Sequence, residues 1–466
     1  MDATEEQPSI PYPTNALHFL HKLEQTRLNG PANESTPEQA TVPLKIVIVG
    51  AGLGGLAASI ALARCGHQVT VLEQAHQLSE VGAGIQIPSN SSRLLERWGV
   101  SQLLQGKAVE LDGIIFRRWK DGATIGHTRL IPDFRESFGA PYYVVQRAYF
   151  HEVLLERAKE LGVDVRVGSK VVKYDLKAPA VMLEDGKILR SDLVVAADGM
   201  DSPARRLIIG GKDQAPKLAG IYSYRATMPI EKIRGDPELA ALLETPSLNL
   251  WIGPHGHVMT YTIVNGSSFN MVLDRAETTN PCSIKLESNI EDMRRKFADW
   301  DPKLVKIINM VEKTMKWPLL AGTALPTWLA PSCKVMVMGN AAHPMLPYMS
   351  QGTAITVEDA AALATVLNLV DDRASLPFAL EVWERERLKR SSQMQEASRL
   401  NSIIWHFPDG PEQEARDASM RPEVEGKHFM LSANQWSDPV TQWWAYGYDA
   451  EDAMRKAWEA AILERS

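Results

Sequence analysis

Cysteine is scarce in this 466-residue chain. It holds three, Cys65, Cys282 and Cys333, far apart and in no Cys-x-x-Cys or Cys/His spacing. Neither a disulfide framework nor a zinc site is expected, and a reducing compartment fits. Long apolar runs are missing as well; no stretch approaches the roughly 20 residues that cross a bilayer. There is no basic excess: 50 Lys and Arg stand against 57 Asp and Glu, for a net charge of -7. That balance argues against a nucleic-acid partner. The opening MDATEEQPSIPYP is acidic and Pro-rich, which does not read as a signal peptide. The expectation from these absences is a soluble cytoplasmic protein, a monomer or homodimer, that needs no metal and no membrane.

What is present is an ordinary globular composition, 45% hydrophobic and 23% charged. The length allows two or three domains. Residues 1–44 lack a strong apolar period and read as an extension with one short helix, Asn15–Arg27. From Lys45 onward, short β-rich runs alternate with helix-like segments. KIVIVG (Lys45–Gly50), QVTVLE (Gln68–Glu73), DVRVG (Asp164–Gly168) and DLVVAADG (Asp192–Gly199) read as strands. LAASIALARCG and YFHEVLLERAKELG read as helices. This alternation predicts an α/β fold on a mainly parallel, Rossmann-like sheet. Between about 201 and 330 the pattern changes. IYSYRATMPI, LNLWIGP, HVMTYTIV and SFNMVLD look like antiparallel strands separated by turn residues. KVMVMGN then returns to the first pattern, and long helices follow from about Val357 to Leu400. The expected organisation is an extension (1–44), a nucleotide-binding domain in two parts (45–200 and 331–400), an inserted mainly antiparallel sheet (201–330) and a C-terminal helical, aromatic segment (401–466).

KIVIVGAGLGGLAASIALARCGHQVTVLEQ contains G-x-G-x-x-G at Gly50, Gly52 and Gly55. The spacing alone is weak evidence, but here it follows an apolar strand, opens a helix and meets Glu73 at the end of the next strand. Gly50 permits the tight turn, Gly52 lets phosphate approach the backbone, and Gly55 lets the helix pack closely on the sheet. The helix N-terminus then faces a pyrophosphate. Glu73 can accept hydrogen bonds from both hydroxyls of an adenosine ribose, which leaves FAD and NAD both open.

Further blocks carry a resemblance. VVAADGMDSPARR (Val194–Arg206), VMGNAAHPMLPYMSQG, VGAGIQIPSNSSRLLERWGV (Val81–Val100) and VVQRAYFHEVLL (Val144–Leu155) together resemble the flavoprotein aromatic hydroxylases, in their salicylate-hydroxylase-like branch. The tail IWHFPDGPEQEARD…NQWSDPVTQWWAYGYDAE is similar to that of fungal members. The resemblance implies FAD as cofactor, NADH or NADPH and O2 as co-substrates, and hydroxylation of a phenol or aromatic acid through a C4a-hydroperoxyflavin. Decarboxylation and dearomatisation both stay open. It also implies roles for individual residues. Glu73 holds the adenosine ribose, Gly84 approaches FAD with its backbone, and Arg147 reaches the ribityl or pyrophosphate region. Asp198 and Gly199 serve FAD and the pyridine nucleotide. The loop from Gly339 to Thr353, with Asn340, Pro344, Gly352 and Thr353, touches the ribityl chain and the flavin ring.

Asn340 stands where the resemblance implies an aspartate. An amide still accepts a hydrogen bond, but it is neutral and brings two donors. The expectation is an active hydroxylase with somewhat looser FAD. Arg225 and Tyr261, on strands of the inserted sheet, are the candidate catalytic and substrate-binding residues. The resemblance implies that an Arg and a Tyr on these strands contact the substrate: Arg225 would anchor a phenolate or carboxylate and Tyr261 would donate to a substrate oxygen. Pro344, the third substrate-binding candidate, would stiffen the loop into a wall beside the flavin. On a regular strand Tyr222 and Tyr224 point away from Arg225. His343 reads as structural or flavin-contacting, the tail tryptophans (Trp405, Trp436, Trp443, Trp444) as packing, and ERERLKR (Glu384–Arg390) as a solvated helix face. Two rival readings remain: a flavin epoxidase acting on an alkene, and a non-catalytic FAD-binding protein.

Overall fold

The computed structural model describes residues 38–78, 83–210, 215–277 and 290–465. The helix expected at 15–27, like Cys282, lies outside them.

A five-stranded parallel sheet carries the glycine-rich loop. Its strands are β1 (Lys45–Val49), β2 (Gln68–Leu72), β7 (Asp164–Arg166), β8 (Leu193–Ala196) and β14 (Val335–Val337), in the spatial order β14-β8-β1-β2-β7. β1 is central and buried on both faces, which is why KIVIV is a nearly unbroken apolar run. Helix α1 (Leu53–Arg64) packs so closely on the sheet that a Cβ on Gly55 would meet the Gly50 carbonyl oxygen at 1.9 Å. At Gly50, φ is +103° and a Cβ would lie 2.4 Å from the Ala197 oxygen. Both positions therefore demand glycine. Helix α4 (Gly352–Asn368) lies against α1, at a distance that a Cβ on Gly54 would close to 2.5 Å from Thr356.

The second sheet has seven strands. These are β4 (Gly113–Arg118), β5 (Thr124–Arg129), β9 (Lys217–Pro229), β10 (Ser247–Gly253), β11 (Gly256–Ile263), β12 (Ser268–Ala276) and β13 (Met315–Ala321), ordered β13-β9-β12-β11-β10-β4-β5. Its pairs are antiparallel except β10 with β4. β4 and β5 come from residues before 200, so the sheet is not confined to 201–330. A small sheet includes β3 (Gly84–Ile87), which leads into α2 (Ser89–Arg97), paired with β6 (Tyr143–Gln146), which leads into α3 (Arg147–Glu160).

Strand alternation sorts the large sheet's side chains. Tyr224, Val258, Met271 and Leu273 enter an apolar cluster with Phe297, Trp300 and Leu304 on one face. Met259, Tyr261 and Val272 face the other way, towards Tyr348, Trp405 and Trp436. Tyr224 thus points away from Arg225, as the alternation predicts.

The 30-residue helix α5 (Leu376–Trp405) runs from the parallel sheet to the large one, about 45 Å at 1.5 Å per residue. ERERLKR lies on it, and the expected solvated face is a correction. Arg387 and Arg390 are 0% and 4% exposed. Arg387 Nε donates to Asp359 Oδ1 at 2.8 Å and Nη2 to Glu358 Oε2 at 2.9 Å. Arg390 Nη2 donates to Glu358 Oε1 at 3.0 Å. Two acids buried in α4 require paired cations, and Arg387 and Arg390 of the charge run supply them. The chain closes with α6 (Pro411–Val424), α7 (Pro439–Tyr446) and α8 (Ala450–Arg465). Trp405 and Trp436 stack at 5.4 Å between centroids and are buried, in agreement with the packing role. Among the described residues, no helix is long and apolar enough to cross a membrane, and no group of His, Cys, Asp and Glu is placed to hold a metal ion.

Candidate active site

A cavity of about 400 Å3 opens where the two sheets meet. One side is made by backbone: Gly52, Leu53 and Gly54 at the start of α1, Gly84 on β3, Ala197 and Gly199 after β8, and the loop from Met338 to Thr353. The other side is the large sheet, with Arg225, His257, Met259, Tyr261, Val272 and Asp274. Arg147 lines it from the start of α3.

The glycine-loop side is built for an anion. Gly52 is the N-cap of α1 and offers no side-chain cap, so the first N–H groups of the helix are unclaimed by it. A Cβ on Gly52 would meet nothing within 4 Å, unlike one at Gly50 or Gly55. Glu73 ties the loop to β2: its Oε2 accepts from Ala51 N at 2.9 Å and its Oε1 from Ala75 N at 2.8 Å. A carboxylate has about four lone-pair sites, so both oxygens retain accepting capacity. Asp198 lies just behind the lining. Tyr174 donates to its Oδ2 at 2.8 Å, while its buried Oδ1 has no hydrogen-bond partner.

The loop after β14 is held from behind. His343 Nε2 lies 2.6 Å from Asp359 Oδ2, inside the Arg387 network. His343 is therefore structural and does not line the cavity. Pro344 is buried and also outside the lining: it packs on Gly322, and its carbonyl accepts from Gln395 Nε2 at 3.0 Å. Met345, Leu346, Pro347 and Tyr348 form that wall instead. Asn340 sits on a short 3-10 turn, Gly339–Ala341, and is exposed on the cavity side. Helix α4 starts at Gly352 with no side-chain cap, and Gly352 and Thr353 turn its N-terminus towards the cavity.

On the sheet side, register explains which residues meet. Ser223 pairs with Asp274 and Arg225 with Val272 across β9 and β12; His257 pairs with Asp274 and Tyr261 with Asn270 across β12 and β11. Tyr261 is 2% exposed and lies over Gly84, where a Cβ would come within 2.6 Å of its ring. Burial pushes its pKa up to about 12, with Arg225 opposing, so it is a neutral O–H donor. His257 is pushed down to about 3 by burial, helped by Arg225. Its Nδ1 lies 3.0 Å from His406 Nε2, and burial lowers His406 to about 3 as well. Asp274 is wholly buried, and burial raises its pKa. His257, Met259, Tyr348 and Asp274 were not singled out from sequence. The available signal was alternation: His257 and Met259 share the face of Tyr261, and Asp274 is a charge within an apolar strand.

A nucleotide-binding parallel sheet facing a mixed sheet across one cavity defines a flavoprotein oxygenase architecture. The chain belongs to the FAD-dependent monooxygenases of the aromatic hydroxylase type: residues 43–398 match the family model described as FAD binding domain. It is 35% identical over 410 residues to the FAD-dependent monooxygenase OpS4 of Beauveria bassiana, covering 88% of this chain and 96% of that one. It is 33% identical over 417 residues to 3-hydroxybenzoate 6-hydroxylase 1 of Aquipseudomonas alcaligenes, covering 88% and 99%. A salicylate hydroxylase substrate complex shares the fold, with a TM-score of 0.74, 22% identity and coverage of 89% and 98%.

The residues present fit FAD, the family's cofactor. Gly52 and the uncapped start of α1 open onto the cavity; Glu73, which holds the Ala51 N–H of the same loop, keeps spare acceptors, and Asp198, with its orphaned Oδ1, sits between the lining residues Ala197 and Gly199. NADH or NADPH is the co-substrate typical of the family.

Proposed function

We propose that this chain uses FAD, NAD(P)H and O2 to hydroxylate a phenolic or aromatic-acid substrate, with Gly50, Gly52, Gly55, Glu73, Gly84, Arg147, Asp198, Asn340, Gly352 and Thr353 serving the cofactor. The observation that carries the proposal is Arg225 and Tyr261 sharing one cavity wall opposite the uncapped start of α4. Bound FAD would supply the activation and transfer of oxygen; the chain positions the ring and shields it.

A phenol reacts as a nucleophile far better when its oxygen carries negative charge. Arg225 favours that charge, and Tyr261, held neutral by burial, donates a hydrogen bond to the same oxygen. Met259 and Val272 supply the apolar surface between them and exclude water. The α4 N-terminus stabilises negative charge on the cofactor side. An alkene epoxidase would need no such cation.

The test is NADH and NADPH oxidation by the FAD-loaded protein with phenols and aromatic acids, with product masses recorded. Ligand-stimulated oxidation with one oxygen added supports the proposal. Oxidation that no aromatic ligand stimulates contradicts it.

A further inference from the structure

We propose that Asp274 balances the charge of Arg225 in the cavity, so that the site takes a hydroxylated aromatic ring without a carboxylate, a phenol or polyphenol, in preference to a hydroxybenzoate. This rests on the cavity being the substrate site and narrows what enters it.

Asp274 and Arg225 are diagonal neighbours on one face: Asp274 sits opposite Ser223, and Arg225 opposite Val272. Such diagonal pairs are about 7–8 Å apart at the backbone, within reach of a long side chain. Both residues line the cavity. They close no direct ion pair, yet the positive field of Arg225 acts on Asp274. Four titratable or charged groups face the carboxylate: Arg225 from β9, His257 from β11, Tyr348 from the loop and His406 from the end of α5. His255 and Arg275 stand beyond His406. His257 and His406 are neutral, so of the four only Arg225 carries a fixed positive charge.

The carboxylate is also under-used. The hydroxyls of Ser223 and Tyr348 lie beside it and favour its charged form, but neither Asp274 oxygen makes a well-formed hydrogen bond, and both hydroxyls are likewise unsatisfied. Buried polar groups in that condition are rare. A substrate hydroxyl fits them: it enters uncharged, accepts from Arg225 and donates towards Asp274, and as its O–H proton passes to the Asp274 carboxylate it becomes the phenolate that Arg225 favours, with the net charge of the cavity unchanged. A carboxylate offers two acceptors and no donor, and it brings a second negative charge beside Asp274. A hydroxybenzoate is accommodated only if Asp274 takes up a proton. Its affinity then rises as pH falls, about tenfold per unit above the pKa of Asp274, until the acid is protonated. Phenol binding carries no such dependence.

The experiment compares resorcinol with 2,4-dihydroxybenzoate, the same ring with a carboxylate added. Dissociation constants are read from the flavin absorbance of the FAD-loaded protein between pH 6 and 8.5, for the wild type and Asp274→Asn. At the alkaline end we expect resorcinol to bind at least about tenfold tighter, the gap closing as pH falls. In Asp274→Asn the preference reverses and the pH dependence disappears. Tighter binding of the benzoate by the wild type without pH dependence, binding of neither ligand, or an unchanged ratio in Asp274→Asn would overturn the proposal. If Asp274→Asn does not retain FAD, the wild-type pH profile decides. The binding ratio holds whether or not either ligand stimulates NAD(P)H oxidation, so a failure of hydroxylation is separable from a failure of charge balance.

Discussion

Asn340 places a neutral amide on the cavity side of the loop after β14, where a carboxylate would be the stronger acceptor. Charged hydrogen bonds contribute about 1.5–3 kcal/mol against about 1 for neutral ones, and about 1.4 kcal/mol is tenfold in binding. Asn340→Asp should therefore tighten FAD about tenfold, measured by fluorescence titration of the apoprotein; unchanged affinity would remove the amide from the account. Arg225→Ala should abolish phenol-stimulated NAD(P)H oxidation while FAD stays bound, which steady-state assays on the FAD-loaded variant would show. The residues that sequence made legible are those whose role is local. Gly50, Gly52 and Gly55 act within one turn, so their spacing carries the message. Asp274 and His257 become neighbours only through strand register, and Pro344 falls outside the lining because the loop turns it onto Gly322.

At the scale of elements, α5 is the strut between the two halves of the site. Its Arg387 pairs with Asp359, which holds His343 of the loop after β14, and its Asn401 donates to the Tyr348 carbonyl at 2.8 Å. Burial alone would raise the Asp359 pKa, but His343 and Arg387 hold it below the usual range. Breaking a buried pair costs about 3–5 kcal/mol. Arg387→Met should lose that much in urea unfolding and loosen FAD as well. Gly55→Ala puts a methyl group 1.9 Å from the Gly50 oxygen and should prevent FAD retention; purification with full FAD content would contradict this. The βαβ alternation was readable because short, β-branched apolar runs alternate with longer helix-forming segments, with turn residues between them. The burial of Arg387 and Arg390 was not, since their partners Glu358 and Asp359 sit on another helix. Likewise, nothing in residues 113–129 announces a parallel pairing with β10.

The whole molecule is closed by its C-terminal segment. Arg97 Nη2 reaches Asp449 Oδ2 at 2.6 Å and its Nη1 reaches Glu451 Oε2 at 2.8 Å, which anchors the start of α8. Burial would raise Asp449, but Arg97, with Arg93, takes it from 3.8 to about 2. A depressed pKa stabilises the folded state above the unfolded value, and that contribution is lost as pH falls through about 4 to 2. It is worth on the order of 2 kcal/mol. Asp449→Asn should lower stability at neutral pH by about that amount and flatten the acid limb of a urea-midpoint profile. The central claim concerns the cavity between the sheets, and one measurement reaches it most directly: NAD(P)H consumption by the FAD-loaded protein with and without a phenol, followed by the mass of the product. The account predicts faster consumption and a product one oxygen heavier. Consumption indifferent to any phenol or aromatic acid, with FAD bound, would contradict it.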